Sequence, residues 1–204
     1  MCLYAKNQKL IAETDIVCYK VLQSLNGLLD EIGRGRVEEC KDNGIEYLTP
    51  YNNFPMEFGE TYDCERKERE IRDWYSRFNT EYVRILGGFI HTFATIDDAL
   101  FAISDCDMYG AVIVKSIIPK GTEYYQGSMH TKDRDRISSY ASRVMVLGGE
   151  DDIVATTDEK DVEGKDDVTL NYNGKKYVYK CGDGFFDEVW GWYETGEEGK
   201  KLTF

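Results

Sequence analysis

Apolar and polar positions along this chain fall into short runs, and most of them carry the period of two expected of half-buried strands. "TDIVCYKVLQSL" (Thr14–Leu25) predicts a strand, with Ile16, Val17, Cys18, Val21 and Leu22 as its apolar positions. The stretch that follows, "NGLLDEIGRGRVEECKDNG", sets Val37 among glycines and charges and predicts a turn and an exposed loop or hairpin. In "IEYLTPYNNFPMEFGETYDC", Pro50 and Pro55 impose extended or turn geometry, and side chains alternate around Gly59. "ERKEREIRDWYSRF" spaces Ile71, Trp74, Tyr75 and Phe78 for a short amphipathic helix or an irregular excursion.

The middle of the chain is more sharply patterned. "VRILGGFIHTF" predicts a strand and "IDDALFAIS" a helix. Thr95 is its N-cap, Asp97 and Asp98 lie in its first turn, and Ala99, Leu100, Ile103 and Phe101 form its buried stripe. "GAVIVKSIIPKGTEYY" gives a β-branched strand ending in a Pro-Lys-Gly turn. "DRDRISSYASRVMVLGG" predicts a loop and then a strand over Arg143–Leu147. "EDDIVATTDEKDVEGKDD" is acidic and linker-like. Beyond it, "VTLNYNGKKYVYKC" alternates around Asn173-Gly174, a strong hairpin signal, and an aromatic tail carries Phe185, Phe186, Trp190, Trp192 and Tyr193. The expected organisation is a strand-dominated α+β domain over residues 1–150, an acidic linker over 151–166 and a small β appendage over 167–204.

Charge narrows the partners. Acidic residues outnumber basic ones 38 to 25, and the net charge of −13 disfavours double-stranded nucleic acid and anionic membranes. The basic clusters "CERKEREIRDW" and "HTKDRDR" interleave their charges with acids. Six cysteines at long spacings contain no CxxC pair, and His91 and His130 alone supply no zinc set. The N-terminus lacks a signal-peptide core, and no run is long enough to cross a bilayer, so the expectation is a reduced, cytoplasmic protein.

The order of these elements is not generic. A strand with Gly-Phe, a helix opened by aspartates and an apolar strand closing in "IIPKG" resemble the ADP-ribosyltransferase-like fold. "TPY" (Thr49–Tyr51), Gly88–Phe93, Ile117–Tyr125 and Tyr140–Arg143 also resemble stretches shared by uncharacterised proteins of gut Bacteroidales and their phages. The transferase likeness implies mixed sheets, a nucleotide cleft, and an NAD-related nucleotide as ligand. It puts Lys20 where the family has a phosphate-gripping arginine, though lysine lacks the bidentate fork. It places His91, Thr92 and Phe93 on the family's hydroxyl triplet, of which Thr92 alone keeps a hydroxyl. The strand after Tyr140 offers no acid before Glu150, so the expected catalytic glutamate is missing unless Glu123 or Glu150 acts from elsewhere.

Several positions carry chemistry on their own account. Tyr51 and Phe54 could stack a base that Asn52 reads, or simply fold inward in a proline-braced turn. By alternation His91 points away from Ile90; it is either a structural histidine bonded within its sheet or a pocket donor to ribose or phosphate. Ser139, Tyr140 and Ser142 could line a polar pocket beside Arg143, a phosphate clamp. The ligand-binding set is therefore Lys20, Tyr51, Asn52, Phe54, His91, Thr92, Ser139, Tyr140, Ser142 and Arg143, with no catalytic residue and no metal. The expected function is a non-catalytic cytoplasmic binding protein for a nucleotide-like ligand, with phage counter-defence by sequestering an NAD-derived or cyclic-nucleotide signal as one role. An active transferase with a displaced glutamate and an acidic protein-interaction module stay open as alternatives.

Overall fold

The structure, a computed structural model, describes residues 3–6, 8–28, 32–50, 52–65, 69–71, 82–105, 108–129, 137–158, 168–182, 189–195 and 202. The strands are β1 (Leu3–Lys6), β2 (Leu10–Ile11), β3 (Ile16–Ser24), β4 (Tyr47–Leu48), β5 (Thr61–Asp63), β6 (Arg69–Ile71), β7 (Tyr82–Gly87) and β8 (Ile90–Phe93). They continue with β9 (Ala111–Ile118), β10 (Glu123–Met129), β11 (Ile137–Ser142), β12 (Val144–Val146), β13 (Ile153–Thr157), β14 (Thr169–Tyr172), β15 (Lys175–Gly182) and β16 (Val189–Glu194). Two α-helices accompany them among the described residues, α1 (Arg34–Asp42) and α2 (Ile96–Asp105).

The strands join in one open sheet of order β16-β15-β14-β13-β9-β3-β8-β11-β10-β1-β7-β6. Every pairing among the described residues is antiparallel, so the mixed sheets implied by the transferase likeness are not what the chain builds. The α+β, strand-dominated character is as the pattern predicts. β9 is the central strand: Val112, Ile113, Val114 and Ile118 are buried, and it pairs with β3 from Ile16↔Ile118 to Gln23↔Ala111.

Helix α2 covers one face of the sheet. The Thr95 hydroxyl oxygen accepts from the Asp98 amide at 3.1 Å and donates to the Asp98 carboxylate at 2.6 Å. That reciprocal cap satisfies a helix end whose amides would otherwise be orphaned. Ala99, Leu100, Ala102 and Ile103 are buried against Val21, Phe93, Ile113 and Ala141. Full burial of Leu100 and Ile103 contributes roughly 1.5–3 kcal/mol each. Thr95→Ala is expected to lower stability by about 1 kcal/mol in a urea melt, with its slope unchanged. A second cluster, on Leu22, Met56, Val112, Val114, Met145 and Leu147, fills the opposite face.

Four segments depart from the sequence expectation. Arg34–Asp42 is helix rather than loop, because Val37 and Cys40 meet Leu25, Leu28 and Leu48 in a satellite core. The predicted strand through Gly87-Gly88 is two strands, broken where Gly88 takes φ +82°. Ile137–Ser142 is a strand, not a loop: it pairs with both β8 and β10, and Ile137, Ser139 and Ala141, which alternate onto one face, are buried. Ile153–Thr157, read as linker, is a strand on β9, and Thr157 donates its hydroxyl to Met108 O while accepting from Ala111 N, both at 2.8 Å. Residues 159–166 of the expected linker lie outside the described residues, as do Trp74, Tyr75, Phe78, His130, Phe185 and Phe186.

The C-terminal hairpin forms as predicted, with Tyr172 opposite Lys175 and Asn173 and Gly174 at φ +50° and +72°. Both central residues in the left-handed region give the turn that matches strand twist. This appendage is continuous with the main sheet through β13, and Trp192 Nε1 donates to Leu100 O at 3.4 Å, so it shares the α2 core.

Candidate functional site

The cleft arises from an incomplete strand pairing. β3 follows β9 for its whole length but meets β8 at a single register pair, Tyr19↔Phe93. Beyond that pair the two strands splay, leaving a gap between Lys20-Val21 on one side and Gly87–His91 on the other. Residues from Thr49 to Met56 and from Tyr62 to Glu65 close it into a cavity of about 640 Å³. That is room for a small-molecule ligand. The Gly87-Gly88 corner makes the gap possible, because its positive φ turns β7 away before β8 begins.

Lys20 stands on the face of β3 that also carries Cys18 and Leu22, and it is 8% exposed. Its ammonium donates to the backbone carbonyl of His91 at 2.8 Å, spanning the splayed strands. It forms no ion pair among the described residues. Burial pushes its pKa down to about 8, with the Cys18 thiol pulling weakly the other way. Burial also raises the Cys18 thiol to about 11, opposed by the Thr92 hydroxyl and Lys20, so this cysteine is an inert thiol rather than a nucleophile.

His91 is a half-buried residue of the cleft lining. Both ring nitrogens are themselves buried and have no hydrogen-bond partner among the described residues. Burial, reinforced by the Lys20 charge, depresses the imidazole to about 3, which fixes it neutral at physiological pH. A neutral imidazole offers one donor and one acceptor. Leaving both unmatched costs about 1–3 kcal/mol each, and the Thr92 and Ser142 hydroxyls are likewise buried without a hydrogen-bond partner among the described residues.

The outer wall is aromatic. Thr49 and Phe54 hold each other in a tight turn: the Thr49 amide donates to Phe54 O at 2.9 Å, and its hydroxyl oxygen accepts from the Phe54 amide at 3.0 Å. The Phe54 ring is left 44% exposed at the rim and meets Tyr62 edge-on at 6.2 Å between centroids. Asn52 stands beside it, exposed. Asp63 and Glu65 supply carboxylates to the wall and Cys64 a thiol.

The structure thus brings Lys20, Asn52, Phe54 and His91 together around one cavity. Tyr51 lies outside the described residues. Thr92, Ser139, Tyr140, Ser142 and Arg143 do not line the cleft. Thr92, Ser139 and Ser142 are buried within the sheet, and Thr92 has only the weak sulfur contact of Cys18. Ser139 donates back to Ile137 O at 3.2 Å. Tyr140 packs its ring against Tyr124 at 5.9 Å, and burial followed by that neighbour raises its pKa. Arg143 is engaged by the scaffold: its guanidinium donates to Gly88 O at 2.7 Å and Cys64 O at 3.1 Å and stacks 4.5 Å over the Phe89 ring. It braces two walls of the cleft instead of reaching into it.

Sequence reasoning missed Tyr62, Asp63, Cys64 and Glu65. Their signal was the concentration of chemistry-bearing side chains in "YDCE", which alternation alone assigned to an ordinary strand. Neither Glu123 nor Glu150 lines the cleft: Glu123 is exposed and pairs with Lys9 at 3.4 Å, and Glu150 is exposed in a single 3₁₀ turn. Among the described residues no group of three or more His, Cys, Asp or Glu side chains is placed to hold a metal, and no helix is long and apolar enough to cross a membrane. No protein-family model, curated protein or solved structure matches this chain.

Proposed function

We propose that this chain is a cytoplasmic, non-catalytic binding protein, and that its cleft holds a nucleotide-like ligand with one aromatic ring and one anionic group. The observation that carries this reading is His91, a residue of the lining of a cavity of about 640 Å³ whose two buried ring nitrogens lack partners among the described residues. A heterocycle with adjacent donor and acceptor atoms satisfies both needs at once. Phe54 and Tyr62 offer it edges and faces to stack on, and Lys20 is the cation nearest the imidazole. With Arg143 engaged elsewhere, one lysine suits one anionic group better than a string of phosphates.

The likeness to the ADP-ribosyltransferase-like fold belongs to the same proposal. The cleft opens between the strand bearing Lys20 and the strand bearing His91-Thr92, the two strands on which that likeness places a cofactor. Transfer chemistry is not part of the reading, because the positions offered for a displaced glutamate, Glu123 and Glu150, stand away from the cleft. Sequestration of a nucleotide signal is the role such a protein would fill.

The test is a thermal-shift screen of NAD and linear and cyclic mononucleotides, run with alkylation of the cleft thiol Cys64. A true ligand at a hundredfold its Kd adds about 2.7 kcal/mol to stability and slows Cys64 alkylation. His91→Ala should lose both effects. If no nucleotide at millimolar concentration shifts the melting temperature or protects Cys64, the proposal fails. Nicotinamide release during incubation with NAD would replace it with an enzymatic function.

A further inference from the structure

We propose that Lys20 captures a carbonyl-bearing small molecule, an aldehyde or ketone, as a covalent imine in this cleft. Lys20 is 8% exposed, lines the cavity, and has one hydrogen-bond acceptor, the uncharged carbonyl of His91 at 2.8 Å. A lysine ammonium is normally solvated or paired, as Lys175 is with Glu194 at 2.8 Å and Lys176 with Asp158 at 2.6 Å. Lys20 has no such counter-charge, and an ammonium stripped of water without one is driven towards the free amine.

The geometry adds what imine chemistry needs beyond a free amine. The contact with His91 O fixes Nζ in the gap between the splayed strands, at the wall of a cavity large enough for an aromatic aldehyde. Met56, Ile90 and Phe89 supply apolar lining that shields the product from hydrolysis. The step balances without an oxidant or reductant. The Nζ lone pair attacks the carbonyl carbon and forms a C–N bond. The amine's two protons leave with the carbonyl oxygen as one water, giving a neutral imine. The ionisable neighbour of this amine on its own strand is Cys18, and His91, Tyr62, Asp63, Cys64 and Glu65 line the same cavity.

The inference goes beyond nucleotide binding and does not depend on it. Benzaldehyde with sodium cyanoborohydride is applied to the full chain at pH 7, and modified lysines are located by peptide mass spectrometry. The expected result is a benzyl adduct on Lys20 that forms at least about tenfold faster than on exposed Lys115 or Lys120, because burial favours the free amine of Lys20. Its rate should rise with pH to a plateau with a midpoint near 8. Lys20→Met should remove this adduct and leave the exposed-lysine adducts unchanged. Labelling of Lys115 and Lys120 with Lys20 untouched, or Lys20 labelled no faster than they are, overturns the proposal from the unsubstituted protein alone. A nucleotide thermal shift that persists when trapping fails leaves the binding function standing, and trapping without any shift does the converse.

Discussion

Lys20→Met is expected to make the protein more stable at pH 7, by about 2 kcal/mol in urea or thermal melts. Lysine's ordinary pKa is near 10.4, and in the fold it falls to about 8 because the ammonium is desolvated. Below pH 8 both folded and unfolded chains carry the proton, so the folded chain bears the full cost of burying the charge. A shift of that size corresponds to roughly 3 kcal/mol. Methionine has nearly the same length, is tolerant of irregular cavities and carries no charge, while the His91 carbonyl loses its donor at a cost of about 1 kcal/mol. The sign of the pH dependence follows. Between pH 8 and about 10.5 the unfolded chain holds a proton that the folded chain has released, so the stability of the unsubstituted protein rises with pH over that window. The advantage of the methionine variant should therefore shrink from pH 8 to pH 10.5. A variant less stable than the parent at pH 7 would show that Lys20 holds the sheet together rather than straining it.

That expectation separates site from scaffold. A buried cation that destabilises its own fold, at a position where an apolar side chain fits, marks function more strongly than a cation in a favourable ion pair. The same reasoning removes Arg143 from the site: its guanidinium fastens Gly88 and Cys64, and its loss would open the cleft rather than empty it of charge.

How much of this was legible in the sequence depended on whether the information was local. The Thr95 cap, the Asn173-Gly174 turn and the β-branched run of β9 are each set by residues within a few positions of one another, and all three form where the pattern places them. Helix α1 was hidden because its own sequence gives it only Val37 and Cys40 as an apolar face. Leu25, Leu28 and Leu48, outside the helix, complete that core. β11 was hidden because Ser139 and Ser142 look like loop residues, although pairing with β10 on one side and β8 on the other holds them in a strand. β13 was hidden by acids that stand at its ends, Glu150–Asp152 and Asp158, not within it. For the site, Lys20 and His91 were visible one at a time. The splay that joins them was not, because it depends on β3 and β8, about seventy residues apart, sharing a single register pair. The hydroxyls of the "SSYASR" segment, which drew attention in the sequence, do not line the cleft; Ser139 bonds back to Ile137 O and Ser142 Oγ is buried without a partner among the described residues.

The second large effect concerns acid. His91 has an ordinary pKa near 6.5 and falls to about 3 in the fold, through burial first and the neighbouring Lys20 charge second. Above pH 6.5 both folded and unfolded chains hold it neutral, and it contributes no pH dependence. Between pH 6.5 and 3 the unfolded chain takes up a proton that the folded chain refuses, so stability falls as pH falls, by up to about 1.4 kcal/mol per pH unit from this residue. Carboxylates elsewhere in this acidic chain also respond below pH 5, and the difference between parent and His91→Phe isolates the histidine. The expected difference is that the parent loses roughly 2–3 kcal/mol more than His91→Phe between pH 6.5 and 4.5. Parallel curves over that range would mean the imidazole charges freely, through solvent in the cleft, and that its nitrogens are not waiting for a ligand. If the curves diverge, repeating the titration with a saturating ligand ties stability to function. A ligand that accepts from one ring nitrogen and donates to the other favours the neutral imidazole, so it should bind more weakly as the site is acidified, and its protection should fade over the same pH range in which His91 destabilises the fold.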